Sequence, residues 1–145
     1  MPFSIRSYRR LPLPYLSAFW LLITLLVLSS GPVYAEWVEV LKNQTDATLY
    51  VDSDMTRRKG NMVKWWDLLD YKTVQTVAGI SFLSAKTQRE FDCAEEQIRI
   101  LAMTYFSGNM GRGPVVFSDS TKNDWEPVEP ESRGYTMWKV ACSKK

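Results

Sequence analysis

Cys93 and Cys142 are the only cysteines in this 145-residue sequence, which contains no histidine. A disulfide between them would close a loop of about 50 residues and would stabilise the fold by roughly 4 kcal/mol. A structural metal site is the alternative, but it lacks ligands, because neither cysteine has a second cysteine nearby and no histidine exists. The pair is therefore predicted to be a disulfide if the chain reaches an oxidising compartment.

The first 35 residues have the three parts of a cleaved export signal. Their basic part carries the only charged residues before Glu36, and an apolar run over residues 15–28 follows it. That run is shorter than the ~20 residues of a spanning helix. Val33 and Ala35 are small enough to fit the cleavage pocket of signal peptidase. We therefore expect cleavage after Ala35 rather than an uncleaved membrane anchor. No cysteine lies at or just after the cut, so no lipid anchor is expected.

Loss of the signal removes three arginines from the charge balance: Arg6, Arg9 and Arg10. The mature chain, residues 36–145, then has about 15 Lys and Arg against 16 Asp and Glu, a net charge of about −1. A near-neutral domain has no general attraction for nucleic acid. About 110 residues suffice for one domain with one core, and no membrane span remains after cleavage.

The mature chain is predicted to be β-rich, because its segments between turn signals are of strand length. Residues 74–82 are interpreted as a connection, whereas residues 84–93 alternate apolar and polar side chains, with one wet face. The predicted strands are residues 37–41, 47–52, 62–71, 84–93, 98–106 and 115–118, with a tight turn at residues 58–61.

The last segment changes to a helical period. Ser132 can act as an N-cap, and Tyr135, Trp138 and Cys142 then recur at i, i+3 and i+7 on one stripe. That stripe must be buried, and the most economical partner is the sheet face that carries Phe91. A disulfide would then fasten the helix to the sheet.

Three segments carry a resemblance to a known family. They are YVDSDMTRRKGNMVKWWDLLDY, QREFDCAEEQIRILAMTYFSGNMG and WEPVEPESRGYTMWKVAC. Through their order, spacing and paired cysteines, the mature chain resembles the surface-adhesin protein E-like domain of Gram-negative bacteria. The resemblance implies an α+β fold, an antiparallel sheet of about six strands with a C-terminal helix tethered to its concave face by a disulfide, here Cys93–Cys142.

The function implied by the resemblance is adhesion: exported or outer-membrane-anchored proteins that bind host matrix and serum proteins. We therefore expect a non-enzymatic binding protein, with a matrix, serum or cell-envelope protein as its partner and no cofactor or metal. Without a lipidation cysteine, the periplasm is the expected location, with the cell surface or the medium as alternatives. The competing hypothesis is a periplasmic structural or housekeeping protein, for which a homodimer joined by an apolar face is one form.

The densest positive patch of the mature chain consists of Arg57, Arg58 and Lys59, with Lys64 nearby. It suits acidic loops of a partner protein or a polyanionic saccharide. A charged hairpin tip that keeps a sheet edge soluble is the simpler interpretation. Arg112, in the glycine-rich loop over residues 107–114, is a further candidate, although so many glycines more often only turn the chain.

Trp65 and Trp66 are neighbours on one predicted strand, so their side chains point to opposite faces. One of them is expected beneath the helix. If Trp66 is exposed together with Met62 and Leu68, the three form an apolar patch suited to dimerisation or ligand capture.

Catalysis has few candidate residues. Without histidine the usual proton carrier near neutral pH is missing, and the remaining acids lie at predicted strand ends and turns. No catalytic residue is therefore assigned, and a paired-carboxylate glycosidase is the enzymatic alternative. The acids in question are Asp67, Asp70, Asp92, Glu95 and Glu96.

Overall fold

The structure is a computed structural model, which describes residues 36–42 and 46–143. The predicted export signal, residues 1–35, and most of the turn between the first two strands lie outside the described residues. Within the described part, no helix is long and apolar enough to span a membrane.

Eight strands in the described residues form one antiparallel sheet, in which six strands follow each other in the order β1-β2-β4-β5-β6-β7. The short strand β3 pairs with β4, and the short strand β8 pairs with β6. The bounds are β1 Trp37–Lys42, β2 Ala47–Asp52, β3 Arg57–Lys59, β4 Met62–Val77, β5 Ile80–Asp92, β6 Gln97–Phe106, β7 Val115–Asp119 and β8 Glu126–Pro127. The prediction of a mainly antiparallel sheet is confirmed. The two additional strands are pieces of two and three residues, too short to show a period in sequence.

The prediction that residues 74–82 form a connection is wrong. β4 continues to Val77 and β5 starts at Ile80, with Val77 opposite Ile80 across a two-residue turn. Both turn residues have positive φ, 49° at Ala78 and 79° at Gly79, as the tightest hairpin turns require. The turn was not predicted from the sequence, because its first residue is alanine, whereas asparagine or glycine usually marks this position.

The hairpin formed by β4 and β5 extends beyond its neighbours in the sheet. β2 pairs with β4 only as far as Tyr71, and β6 pairs with β5 only as far as Ser84. Residues 72–83 therefore form a two-stranded arm at the end of the sheet. Val74 and Val77 on this arm are exposed.

The C-terminal helix, α1, spans Arg133–Ser143. Its start is fixed by Ser132, whose Oγ accepts a hydrogen bond from the Tyr135 N–H at 3.0 Å and donates one to the Glu129 carbonyl at 2.6 Å. The predicted N-cap is thus confirmed. Met137 and Ala141 are the buried residues of the helix, so they form the centre of the packed stripe.

The residues of the predicted stripe lie at the margin of the helix contact. Tyr135, Trp138 and Cys142 are each half-buried. Trp138 donates from Nε1 to the Asp92 carbonyl at 3.0 Å. Met137 and Ala141 were not predicted, because the stripe was drawn through the more conspicuous aromatic residues, and the buried centre lies roughly 100° around the helix from it.

The core lies between α1 and one face of the sheet, which we call the helix face. Phe91 is fully buried there and meets Trp65 edge to face, with ring centroids 4.6 Å apart. Cys93 and Cys142 form a disulfide that joins the residue after β5 to the last turn of α1, with Cα atoms 5.6 Å apart. This confirms both the disulfide and the docking of the helix on the face that carries Phe91.

Replacing Ser132 by alanine is expected to lower the free energy of unfolding by about 1 kcal/mol, because the Tyr135 N–H loses its acceptor. The melting temperature, followed by circular dichroism, should fall by about 4 °C. Ser143→Ala is the control: its Oγ bonds the Val140 carbonyl at the exposed end of the same helix. Equal melting temperatures for Ser132→Ala and the unsubstituted protein would contradict the assigned cap.

Candidate functional site

The positively charged side chains of the hairpin formed by β3 and β4 are divided between the two faces of the sheet. Across β3 and β4, Arg57 is opposite Lys64 and Arg58 is opposite Val63, and directly opposed residues share a face. Val63 is buried in the core, so Arg58 lies on the helix face. Arg57, Lys59 and Lys64 lie on the opposite side, which we call the open face.

The turn before this hairpin is held by hydrogen bonds. The Asp52 carboxylate is buried and accepts the backbone N–H groups of Asp54 and Met55, both at 3.1 Å. Arg57 donates from Nη1 to the carbonyls of Asp54 and Thr56, at 2.6 and 3.0 Å. The guanidinium of Arg57 is therefore oriented before any partner arrives.

Trp66 lies on the open face with Lys86 and Trp37. The Lys86 Nζ is 4.9 Å from the centroid of the Trp66 ring and 5.6 Å from that of Trp37, within the range of a cation–π contact. We call these three residues the tryptophan–lysine cluster. Lys64 belongs to the same strand and face as Trp66, so positive charge and aromatic surface adjoin each other here.

A second cation and aromatic pair lies farther across the open face. The Arg99 guanidinium is 4.1 Å from the Trp125 ring centroid. It also donates from Nε and Nη2 to Oε2 of Glu90, which is opposite it on β5. This cation is thus already neutralised by an acid, whereas Lys86 is held by aromatic rings.

The predicted apolar patch of Met62, Trp66 and Leu68 does not form. Leu68 is 1% exposed, because the glycine-rich loop covers it. A side-chain carbon placed on Gly111 would lie 3.7 Å from Cδ1 of Leu68. The loop closes this end of the open face and leaves Met62 and Trp66 half-buried.

The glycine-rich loop is fastened to the sheet. Asp70 accepts the Met110 N–H at 2.6 Å and the Asn109 side chain at 3.1 Å. Ser84, expected on the wet face of its strand, is fully buried and bonds Gly108 and Gly111 of the loop. The buried state of Ser84 corrects that expectation, since the loop replaces water above it.

Arg112 is exposed at the end of this loop, far along β4 from the β3–β4 hairpin that carries Arg57 and Lys59. The loop is bonded at Asp70, eight residues along β4 from Met62, a separation of about 26 Å at the rise of a strand. The structure therefore brings together Arg57, Lys59, Lys64 and Trp66 on one face, and places Arg58 and Arg112 elsewhere.

The helix face contains an ion pair that sequence reasoning did not find. Asp67, fully buried, accepts at Oδ2 from Nε of Arg89 at 2.7 Å and from Nε1 of Trp65 at 3.1 Å. Its Oδ1 has no hydrogen-bond partner among the described residues. Burial raises the pKa of the Asp67 carboxyl, and the Arg89 guanidinium opposes that rise. The sequence did contain a signal for this pair: Asp67 is an acidic residue on the strand face otherwise formed by the apolar residues Val63, Trp65 and Leu69.

The helix face also has a cavity of about 330 Å³ beside α1. Within the described part of the chain, five valines, Trp65 and Ala141 form its walls, and Ser53, Thr56 and Arg58 complete its lining. No group of three or more His, Cys, Asp or Glu side chains suited to a metal ion occurs among residues 36–42 and 46–143.

The fold has solved counterparts. One crystal form of Haemophilus influenzae protein E superimposes with a TM-score of 0.58 and 14% identity, over 77% of this chain and 90% of that one. Its selenomethionine form gives 0.56 and 13%, over 77% and 89%. Protein E from non-typeable Haemophilus influenzae gives 0.53 and 14%, over 78% and 79%. At such low identity these matches establish the fold.

A search among curated protein sequences found no match. A family model described as surface-adhesin protein E matches residues 37–143, which is nearly all of the described chain. The family predicted from the sequence is therefore confirmed, together with its antiparallel sheet, its C-terminal helix and its disulfide. The chain belongs to the surface-adhesin protein E family.

Proposed function

We propose that the mature chain, residues 36–145, is an exported, non-enzymatic binding module that contacts a protein partner through its open face. The observation that carries this proposal is the strand register, which puts Lys64, Trp66 and Lys86 on the face that α1 does not cover, together with Arg57 and Lys59. Tryptophan and arginine are the residues most often responsible for interface affinity. Membership of an adhesin family supports the same conclusion.

The positive charge of this surface indicates which kind of partner it can bind. Three cationic side chains, Arg57, Lys59 and Lys64, lie at the hairpin end of the open face, and Lys86 lies farther along it. The partner should therefore present acidic loops to this face. The predicted partner class is a matrix, serum or cell-envelope protein. The proposed location is the cell envelope, in the periplasm or at the cell surface.

Three of the five acids considered for catalysis have structural partners, which supports a non-enzymatic function. Asp92 accepts the backbone N–H groups of Ala94 and Glu95 at the turn after β5, each at 3.0 Å. Asp70 holds the glycine-rich loop, and Asp67 is paired with Arg89 in the core. These three carboxylates stabilise a turn, the glycine-rich loop and the core, respectively.

Lys64→Glu and Trp66→Ala are each expected to weaken binding of the mature protein by about tenfold or more, because the first reverses a charge and the second removes an aromatic anchor at the proposed contact. Biolayer interferometry against purified fibronectin, laminin, collagen and a soluble envelope fraction of the native cells measures this, with serum albumin as the negative surface. Added salt should weaken binding to the unsubstituted protein.

Lys139→Glu is the matched control, since it makes the same charge change on α1, away from the open face. Its binding should equal that of the unsubstituted protein. The proposal is wrong if no surface shows saturable binding, or if Lys139→Glu weakens binding as much as Lys64→Glu does. In the first case a structural role in the envelope becomes the better explanation.

A further inference from the structure

The arm of residues 72–83 carries no charge over most of its length. Its β4 residues 75–77 pair with β5 residues 80–82 and, in the described part of the chain, with no other strand. Residues 73–85 contain no charged side chain, although an exposed strand edge in water is usually protected by charge. The arm is therefore an uncharged hairpin that projects beyond the packed sheet.

The tip of the arm consists of groups that can leave water at low cost. Val77 is 53% exposed and lies opposite Ile80 across the turn. Adjacent strand residues point to opposite faces, so the other face of the tip carries Thr76 and Ser81. The hydroxyls of these two residues hydrogen-bond each other at 3.1 Å, and a hydroxyl that is already bonded costs less to remove from water.

Exposed apolar side chains are concentrated at this end of the sheet. β7 begins at Val115, opposite Phe106, and Phe106 is opposite Ser84 at the base of the arm. Six large apolar residues are exposed in the described part of the chain, and four of them lie at this end. The four are Val74, Val77, Val115 and Val116. Such a concentration indicates a surface that contacts a protein or a membrane.

The base of the arm is positively charged, which favours a membrane. The glycine-rich loop, which carries the exposed Arg112, bonds the Tyr71 carbonyl where the arm begins. The side chain of Arg133 bonds that of Tyr71 from the start of α1. Lys42 ends β1 at the same side of the sheet. These three cations outnumber the acids that register and contacts place there, Asp46 and Asp70. An apolar tip above a positive base suits a bilayer with anionic headgroups.

We propose that the tip of the arm inserts into the headgroup region of a bilayer that contains anionic phospholipid, and so docks the mature domain on the membrane. Val77 and the turn enter the interface, and Arg112 contacts the headgroups. The outer backbone groups of residues 75–77 and 80–82 have no strand partner, so they cannot enter the hydrocarbon core. Insertion is therefore shallow. The open face is not used, so Lys64→Glu should leave membrane binding unchanged.

Sedimentation of the mature, oxidised protein with vesicles tests the proposal. The vesicles consist of phosphatidylcholine, alone or mixed with phosphatidylglycerol, and we expect tighter binding to the mixed vesicles. Val77→Asp should lower the affinity for mixed vesicles about tenfold or more, because a carboxylate is unfavourable in the interface and is repelled by anionic lipid. Val38→Asp is the matched control, since it makes the same change at a valine that is 46% exposed and lies away from the arm. It should bind as the unsubstituted protein does.

Two further variants separate the apolar contact from the charge. Val77→Trp should bind both kinds of vesicle about threefold more tightly, because an indole prefers the membrane interface, and its added fluorescence should shift to the blue on binding. Arg112→Gln should weaken binding to mixed vesicles about fivefold and leave binding to phosphatidylcholine unchanged. Lys139→Gln, the same charge loss on α1, should change neither.

Three results would overturn the proposal. They are no binding to either vesicle, equal affinity of Val77→Asp and Val38→Asp, or binding that salt abolishes and Val77→Trp does not strengthen. The last result would show adsorption by charge alone. Binding of a soluble envelope protein that Val77→Asp abolishes, without any binding to vesicles, would assign the arm to a protein partner instead. An unchanged melting temperature of Val77→Asp shows that its loss of vesicle binding does not come from unfolding.

Discussion

Replacing Cys93 and Cys142 together by serine is expected to lower the free energy of unfolding by about 4 kcal/mol. The two residues are 49 positions apart, and opening a loop of that length returns this much conformational entropy to the unfolded chain. Urea unfolding followed by tryptophan fluorescence measures the loss. Because small domains have a total stability of about 5–15 kcal/mol, the variant should unfold at a much lower urea concentration.

Reduction of the unsubstituted protein by dithiothreitol is the matched control and should give the same loss. The reduced double-serine variant should not change further. If the double-serine variant unfolded at the same urea concentration as the oxidised protein, the crosslink would not contribute to stability and the docking of α1 would depend on packing alone.

Arg89→Met should destabilise the protein by roughly 3 kcal/mol, because it leaves the Asp67 carboxylate buried without its counter-charge. The methionine retains much of the aliphatic packing of arginine, so the effect reports mainly on the charge. Thermal and urea unfolding at pH 7 measure it. Asp67→Asn in the Arg89→Met background should recover a large part of the loss, since the buried group is then neutral.

The pH dependence of Arg89→Met gives an independent readout. Burial raises the pKa of Asp67, and loss of Arg89 removes a cause that lowers it. Between the unfolded pKa of about 3.9 and the raised folded pKa, the folded protein binds more protons, so stability rises as the pH falls. The stability gap between Arg89→Met and the unsubstituted protein should therefore narrow from pH 7 to about pH 4. A gap that stays constant over this range would show that Asp67 is not the group responsible.

The main elements were predictable because each has a local signal. Alternation over residues 84–93 predicted most of β5, the strand-forming segment of residues 98–106 predicted β6, and the glycine after Lys59 marked the β3–β4 turn. The arm was missed because its turn begins with alanine at positive φ, where no local preference indicates a turn. The burial of Leu68 and Ser84 was missed for another reason: it depends on a loop more than 20 residues away in sequence.

The candidate surfaces were predictable in composition but not in arrangement. Adjacent strand residues alternate in direction, which already separates Trp65 from Trp66 and Arg58 from its neighbours. Which of the two tryptophans shares the Phe91 face that α1 covers, however, is decided by the pairing register of β4 with β5. Lys86 gave no signal in sequence, because its contact with Trp66 exists only across two paired strands.

The arm of residues 72–83 has a practical consequence for cell biology. Its turn at Ala78 and Gly79 lies beyond all other strands, and nothing lies within 4 Å of the place where a side chain on Gly79 would begin. A short epitope inserted there would project from the end of the arm, away from the packed sheet, so we expect the rest of the domain to fold unchanged. Antibody labelling of intact and permeabilised cells would then report on which side of the outer membrane the domain resides.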